Sequence, residues 1–318
     1  MENFLVTGCA GFIGSHLTER LLQDGHKVIG VDNFDPYYDR GIKEANLLKC
    51  RSNPNFIFHE IDILDQDALS SIRSIDTVLH VAAKAGVRPS LDNPDSYLEV
   101  NFMGTHNILK WMVARECKRM IFASSSSVYG NSESSQFIEN QATDSPISPY
   151  AVSKKSCEVL NHTYHSNYGL SILNLRLFTV YGPRQRPDLA IRKFTDLISN
   201  DKVVPVYGSG DTHRDYTFID DVVNGFIKAI DYSNKVPGSF ETFNIANGNP
   251  IGIVDLVKLI GSVLSKDPKI EYLPMQTGDV DKTYADVGKA RKLLNFESKT
   301  SITEGLNKYV KWVQENRE

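Results

Sequence analysis

The chain has 318 residues, 41% hydrophobic and 23% charged, with 21 glycines and 13 prolines spread along it, an ordinary globular composition large enough for two lobes and a sizeable core. A formal net charge of -4 leaves no global basic footprint for nucleic acid, so any phosphate binding has to come from a local site. The four cysteines, Cys9, Cys50, Cys117 and Cys157, show no metal-ligand spacing and no C-x-x-C pair, and the first residues enter a strand rather than a signal-peptide apolar region. The expectation is a reduced, cytoplasmic protein with no metal and no membrane segment.

In chain order, short β-rich runs at 4–7, 27–31, 56–60, 77–81 and 119–123 are separated by helix-length amphipathic stretches, the rhythm of a Rossmann-type α/β fold with a doubly wound parallel sheet. Between the first two runs, Val6-Thr7-Gly8-Cys9-Ala10-Gly11-Phe12-Ile13-Gly14 spaces its glycines three apart. The spacing predicts a helix over 15–24, where Leu17, Leu21 and Leu22 recur at helical spacing and Gly25 stops it. Such a turn lets a pyrophosphate approach the backbone and meet helix N-terminal amides, so Gly8, Gly11, Phe12, Ile13 and Gly14 are read as dinucleotide contacts. Asp32 closes the second run, where a carboxylate accepts the adenosine ribose hydroxyls and repels a 2′-phosphate. With no Arg beside it the expected cofactor is NAD; the competing reading is an exposed strand-end acid. Asn33 adjoins Asp32, and Asp62 and Ile63, after the third run, are assigned to the adenine.

The fifth run delivers Ser124-Ser125-Ser126-Ser127-Val128-Tyr129-Gly130 to the carboxyl edge of the sheet, where open α/β folds bind ligands. Tyr150-Ala151-Val152-Ser153-Lys154 then starts a helix in which Tyr150 and Lys154, four apart, share one face. Phenol and ammonium enter one cleft there, and a neighbouring cation favours tyrosinate. A bare Y-x-x-x-K also occurs on solvated helix faces, and a serine-rich loop needs no chemistry; the glycine turn and Asp32 are what favour a site. From about 181 the alternation loosens, at Tyr181-Gly182-Pro183, Tyr207-Gly208-Ser209-Gly210 and Ala246-Asn247-Gly248-Asn249-Pro250. We expect a dinucleotide-binding domain over 1–180 and a mainly substrate-binding domain over 181–318, with 172–178 and 242–245 as candidate strands of the main sheet.

The glycine turn, Asp32, His80-Val81-Ala82-Ala83, Asn101, the serine strand, Tyr150/Lys154, Arg176-Leu177-Phe178-Thr179-Val180-Tyr181-Gly182-Pro183 and Arg214-Asp215-Tyr216-Thr217-Phe218-Ile219-Asp220-Asp221 carry a resemblance over nearly the whole length. The chain resembles the extended short-chain dehydrogenase/reductase family, and within it the NAD-dependent sugar-nucleotide epimerases. The resemblance implies an isomerase in which Tyr150 is the general base, Lys154 holds the nicotinamide ribose and lowers the Tyr150 pKa, and Ser125 bridges to the sugar. It implies cofactor contacts at Val81, Ala82, Ala83, Asn101, Ser124 and Phe178, and a sugar pocket lined by Ser126, Ser127 and Thr179. It places the UDP site at Val206, Tyr207, Arg214 and Asp279, which makes 181–318 UDP-sugar-binding. A homodimer through the Tyr150 helix and a preceding helix over 95–114 is implied as well, with a UDP-sugar as the ligand.

Dehydratases and decarboxylases of the family usually carry Glu just before Val-Tyr-Gly, where this chain has Ser127, so their extra acid/base is missing. Galactose-type epimerases usually carry Asn where this chain has Thr179. Ala83-Lys84-Ala85-Gly86-Val87-Arg88 and Tyr181-Gly182-Pro183-Arg184-Gln185-Arg186-Pro187-Asp188 look most like UDP-glucuronate 4-epimerases, although Lys84 stands where that group more often has Gln. A C6 carboxylate buried in a sugar pocket needs a cationic or hydrogen-bonding partner. Arg88 and Arg186 are the candidates; the alternative for each is a diphosphate contact or a loop brace. Neutral UDP-glucose and UDP-N-acetylglucosamine are the rival substrates.

Overall fold

In chain order the strands are β1 (Asn3–Thr7), β2 (Lys27–Asp32), β3 (Phe56–Glu60), β4 (Thr77–His80), β5 (Arg119–Ser125), β6 (Ser171–Leu177), β7 (Thr179–Tyr181), β8 (Val204–Tyr207), β9 (His213–Arg214), β10 (Tyr216–Phe218), β11 (Phe240–Ile245), β12 (Ile251–Gly252) and β13 (Ile270–Leu273). The structure, a computed structural model, describes residues 1–131, 134, 136–274 and 282–316. A seven-stranded sheet runs β11-β6-β5-β4-β1-β2-β3, with every pairing parallel. Its strands read as almost continuous apolar runs because both faces are covered. Along β1, Phe4 and Val6 enter one core with Leu17 and Leu21 of the first helix, while Leu5 enters the other with Ile108 and Met112. Full burial of each such side chain contributes about 1.5–3 kcal/mol.

The strand order reverses between β1 and β4, which opens a crevice at their carboxyl ends. The first helix, Phe12–Gln23, begins earlier than its sequence pattern predicts. Gly8 sits at φ 70 and donates to the Val31 carbonyl at 2.8 Å, and Gly11 donates back to the Gly8 carbonyl at 3.1 Å. That tight turn brings Phe12, Ile13 and Gly14 into the first helical turn, so their amides belong to the helix N-terminus.

The continuous helix expected over 95–114 is instead divided into a helical turn, Pro94–Tyr97, a π-helical segment, Leu98–Met103, and a helix, Gly104–Ala114. The wide segment coincides with side-chain competition for one backbone carbonyl. The Thr105 hydroxyl donates to the Asn101 carbonyl at 2.6 Å and the Cys157 thiol to the same oxygen at 3.3 Å.

Beyond β6 the chain leaves the sheet. β7 pairs with β10 and β8 with β13, both parallel, and β9 pairs with β12 antiparallel. β11 then returns to the main sheet beside β6. Among the described residues no helix is long and apolar enough to cross a membrane.

Candidate active site

The carboxyl ends of β1 to β6 line one cavity of about 440 Å³, within the range of small-molecule sites. Its floor at one end is backbone. A Cβ on Gly8 would stand 2.9 Å from the Ala82 Cα, and one on Gly14 would run into the Gly8 carbonyl. The close approach of Val81 and Ala82 is held by the Thr7 hydroxyl, which accepts both their amides at 3.1 Å. His80 braces the same corner between Thr7, at 2.7 Å, and Thr105, at 3.0 Å. Burial lowers its pKa to about 3, so the imidazole is neutral.

At the far end of this floor Asp32 is 8% exposed and accepts the amides of Ala10 at 3.1 Å and Phe34 at 2.9 Å. Burial raises its pKa, against the positive charge of Lys43, whose Nζ lies 3.9 Å from Oδ1. The residues after Asp32 fold as successive side-chain-to-backbone turns, Asp35 N–H to Asn33 at 3.0 Å and Tyr37 N–H to Asp35 at 2.9 Å. Asn33 also donates to the Asp62 carboxylate at 2.8 Å. A backbone floor under a helix N-terminus, with a carboxylate beyond it, fits a dinucleotide, diphosphate over the glycines and ribose on Asp32.

The other end is built by the helix Pro149–Tyr168, started by Ser148, which accepts the Ala151 amide at 3.2 Å, with proline in the first turn. Tyr150 and Lys154 both reach the cavity wall. Burial pushes the Tyr150 phenol pKa up, while the polar influence of the Ser125 hydroxyl and the charge of Arg186 pull it down. The Lys154 ammonium donates to the Ala123 carbonyl at 2.7 Å, and burial lowers its pKa to about 8. Arg186 thus adds a positive charge acting on the phenol that the sequence did not assign to it.

Ser126, Ser127, Thr179, Arg186 and Arg214 line the cavity near Tyr150 or beyond it, as do Ser124 and Phe178. Arg186 is bound through Nε and Nη2 to both Asp188 oxygens, at 2.9 and 2.8 Å, and its guanidinium stands 5.5 Å over the Tyr37 ring. The Tyr37 hydroxyl donates to Asp188 at 3.2 Å. The loop is clipped to the first helix: His16 Nε2 meets the Pro183 carbonyl at 3.0 Å and Arg184 pairs with Glu19 at 2.6 Å.

Four expected contacts do not line this cavity. Asn101 is 2% exposed and lies behind the wall, its amide used on the Lys84 backbone at 2.7 and 3.0 Å and on Ser153 at 2.9 Å. Val206 points into the core because β8 alternates, Val204 and Val206 in, Pro205 and Tyr207 out. Tyr207 and Arg88 pack on each other, 5.2 Å from guanidinium to ring centroid, and neither lines the cavity. Asp279 falls outside the described residues.

Sequence reasoning named neither Tyr37 nor Lys43 and gave Asp188, part of the 181–188 motif, no role of its own; the run of Asp and Asn after Asp32 was the available signal of a structured turn. It also passed over the buried support of the serine strand. Glu158 accepts from the Ser124 hydroxyl at 2.6 Å and from Arg176 Nε and Nη2 at 2.9 and 2.8 Å, with the two paired side chains 4% and 6% exposed. Arg176→Ala should cost about 3–5 kcal/mol of unfolding free energy, because it strands a buried carboxylate. A loss under about 1 kcal/mol in a denaturant titration would show that water replaces the guanidinium.

A family profile described as GDP-mannose 4,6 dehydratase matches residues 5–309. The chain is 43% identical over 322 residues to the UDP-glucuronate 4-epimerase of Thermodesulfobacterium geofontis, covering 100% of this chain and 98% of that protein. It superposes on UDP-glucuronic acid 4-epimerase from Bacillus cereus in complex with UDP-glucuronic acid and NAD with a TM-score of 0.93 at 36% identity, covering 98% of this chain and 99% of that one. For UDP-glucose 4-epimerase from Thermotoga maritima with UDP-glucose the TM-score is 0.91 at 32% identity, covering 99% and 100%.

Proposed function

The chain belongs to the GDP-mannose 4,6-dehydratase family of the short-chain dehydrogenase/reductase fold, and from that premise we propose that it is an isomerase inverting C4 of a UDP-hexose, UDP-glucuronate to UDP-galacturonate. The observation that carries the acid-sugar reading is Arg186, held on the wall of the cavity that Tyr150, Ser125 and Thr179 also line. NAD held in this cavity would supply a reversible hydride acceptor, the chemistry that inversion at C4 without net oxidation requires. Gly8, Gly11, Phe12, Ile13 and Gly14 would hold its diphosphate, Asp32 and Asn33 its ribose, Asp62 and Ile63 its adenine, and Val81, Ala82, Ala83, Ser124 and Phe178 would serve its nicotinamide half.

Tyr150 receives the 4-hydroxyl proton and later returns it, with Ser125 as the bridging hydroxyl. Lys154 serves the nicotinamide ribose. Thr179, the hydroxyls of Ser125, Ser126 and Ser127, and Arg186 hold the C6 carboxylate near the plane of the C4 carbonyl, which denies the perpendicular geometry that loss of CO2 requires. Ser127, unlike a Glu, offers no acid/base group to a decarboxylated enolate. Arg214 serves the UDP diphosphate.

We further divide the chain into an NAD lobe over 1–180, joined by β11, and a mainly UDP-sugar-binding lobe over 181–318. Two copies pair through the Tyr150 helix and the segment before it, where Leu98, Met103, Val152 and Val159 are exposed; the solution mass should be twice 35.6 kDa by sedimentation. Four buried free thiols fit a reducing cytoplasm.

A panel of UDP-sugars with chromatographic separation of products tests the function. UDP-glucuronate should reach near-equilibrium with UDP-galacturonate and yield little UDP-pentose. Predominant UDP-pentose would make the chain a decarboxylase, and conversion of UDP-glucose alone would make it a galactose-type epimerase.

A further inference from the structure

Lys43 is 6% exposed although it lies on a surface helix, Arg40–Arg51, whose mean burial pattern leaves most charged neighbours in water. Its side chain runs inward to the cavity wall, donates from Nζ to the Asp35 carbonyl at 2.8 Å and stands 4.9 Å over the Tyr38 ring. Nζ is 3.9 Å from Asp32 Oδ1, beyond hydrogen-bond distance. The Asp32 oxygens accept two backbone amides, and Lys43 acts on them through its charge, which opposes the rise that burial gives the Asp32 pKa. Arg40, the neighbouring cation, is committed to Glu44 and Glu60 on the outside.

We propose that Lys43 is the cation of a 2′-phosphate subsite that Asp32 keeps closed. The inference rests on the reading of this cavity as an NAD site and deepens it: preference for NAD is set by the Asp32 carboxylate alone, and the residue that would receive the 2′-phosphate of NADP or of another adenosine 2′-phosphate is already in place. A ribose whose hydroxyls meet Asp32 would present a 2′-phosphate to that carboxylate, and like charges repel at that distance. Replace the carboxylate by a neutral group and the phosphate oxygens fall within reach of Nζ. One of its three N–H donors is used on Asp35, leaving two for the phosphate. As a compact charge on a flexible stem, lysine suits a phosphate that enters only when its neighbour is neutral.

The test uses the full chain freed of dinucleotide, titrated calorimetrically with NAD, NADP and adenosine 2′,5′-bisphosphate, a probe that cannot turn over. Asp32→Ser should gain at least about tenfold in affinity for the bisphosphate, and more as ionic strength falls. Adding Lys43→Met should abolish the gain, and adding Lys43→Arg should keep it, with the gain read as the ratio of bisphosphate to NAD affinity in each variant so that any shared effect on the adenosine site cancels. Asp32→Asn is a second neutral replacement should the serine variant fold poorly by its thermal unfolding. An equal gain without Lys43 would overturn the proposal, as would a folded, NAD-binding Asp32→Ser with no gain. If the unmodified chain bound no NAD, the cofactor reading would fail first and this inference with it.

Discussion

Tyr150→Phe should leave the fold and NAD content intact and cut turnover of the preferred UDP-hexose by at least about a hundredfold, the lower end of what one positioned proton acceptor contributes. The substitution removes a single oxygen. Ser125 is not stranded by it, since Ser127 donates to its hydroxyl from the backbone at 3.2 Å and from its own hydroxyl at 2.9 Å. The ring keeps its edge contact with Tyr97, centroids 6.2 Å apart. Because burial raises the phenol pKa, the base form grows as pH rises, so the unmodified protein should gain rate toward alkaline pH. The variant should lack that limb. NAD content by absorbance separates a catalytic loss from a cofactor loss, and near-normal turnover would remove Tyr150 from the chemistry.

Arg186→Ala should lower kcat/KM for UDP-glucuronate by a further factor of about 30 or more relative to UDP-glucose, since an unpaired carboxylate in a partly buried pocket costs about 2 kcal/mol or more. The ratio is the readout because part of the effect is shared. Arg186 also lowers the Tyr150 pKa, so its removal slows both sugars through the base. Asp188, whose side chain is 35% exposed, can be hydrated when its partner goes, which limits damage to the loop. Equal losses on the two sugars would make Arg186 a brace or a diphosphate contact.

The residues legible in the sequence are those whose placement is set by a few neighbours along the chain. Glycines three apart after a strand, an acid at the end of the next strand, and Tyr150 and Lys154 four apart on a helix each follow from local geometry. Asn101, Val206 and Arg88 were assigned by resemblance, and their directions depend on nonlocal packing. Asn101 turns away from the cavity toward Lys84 and Ser153, and Arg88 settles on Tyr207, a residue from a different part of the chain. The Tyr37, Asp188 and Arg186 cluster joins residues 151 apart in sequence, and no periodicity reports such a meeting. The π-helical segment was equally hidden, because apolar spacing does not separate it from an ordinary turn of helix.

The clip between the first helix and the Pro183 to Asp188 loop bears on modularity. Burial lowers the His16 pKa to about 4, so its bond to Pro183 keeps one protonation state at any physiological pH, and the Arg184 to Glu19 pair fastens the same two parts. The arginine assigned to the acid sugar thus takes its bearings from the helix assigned to the diphosphate. Sugar preference is then not a cassette: residues 181–318 transplanted onto another dinucleotide fold would arrive without His16 and Glu19, and the Pro183 to Asp188 loop would lose the surface against which it is set. Lineages that retune the sugar should have to change both halves of the chain together.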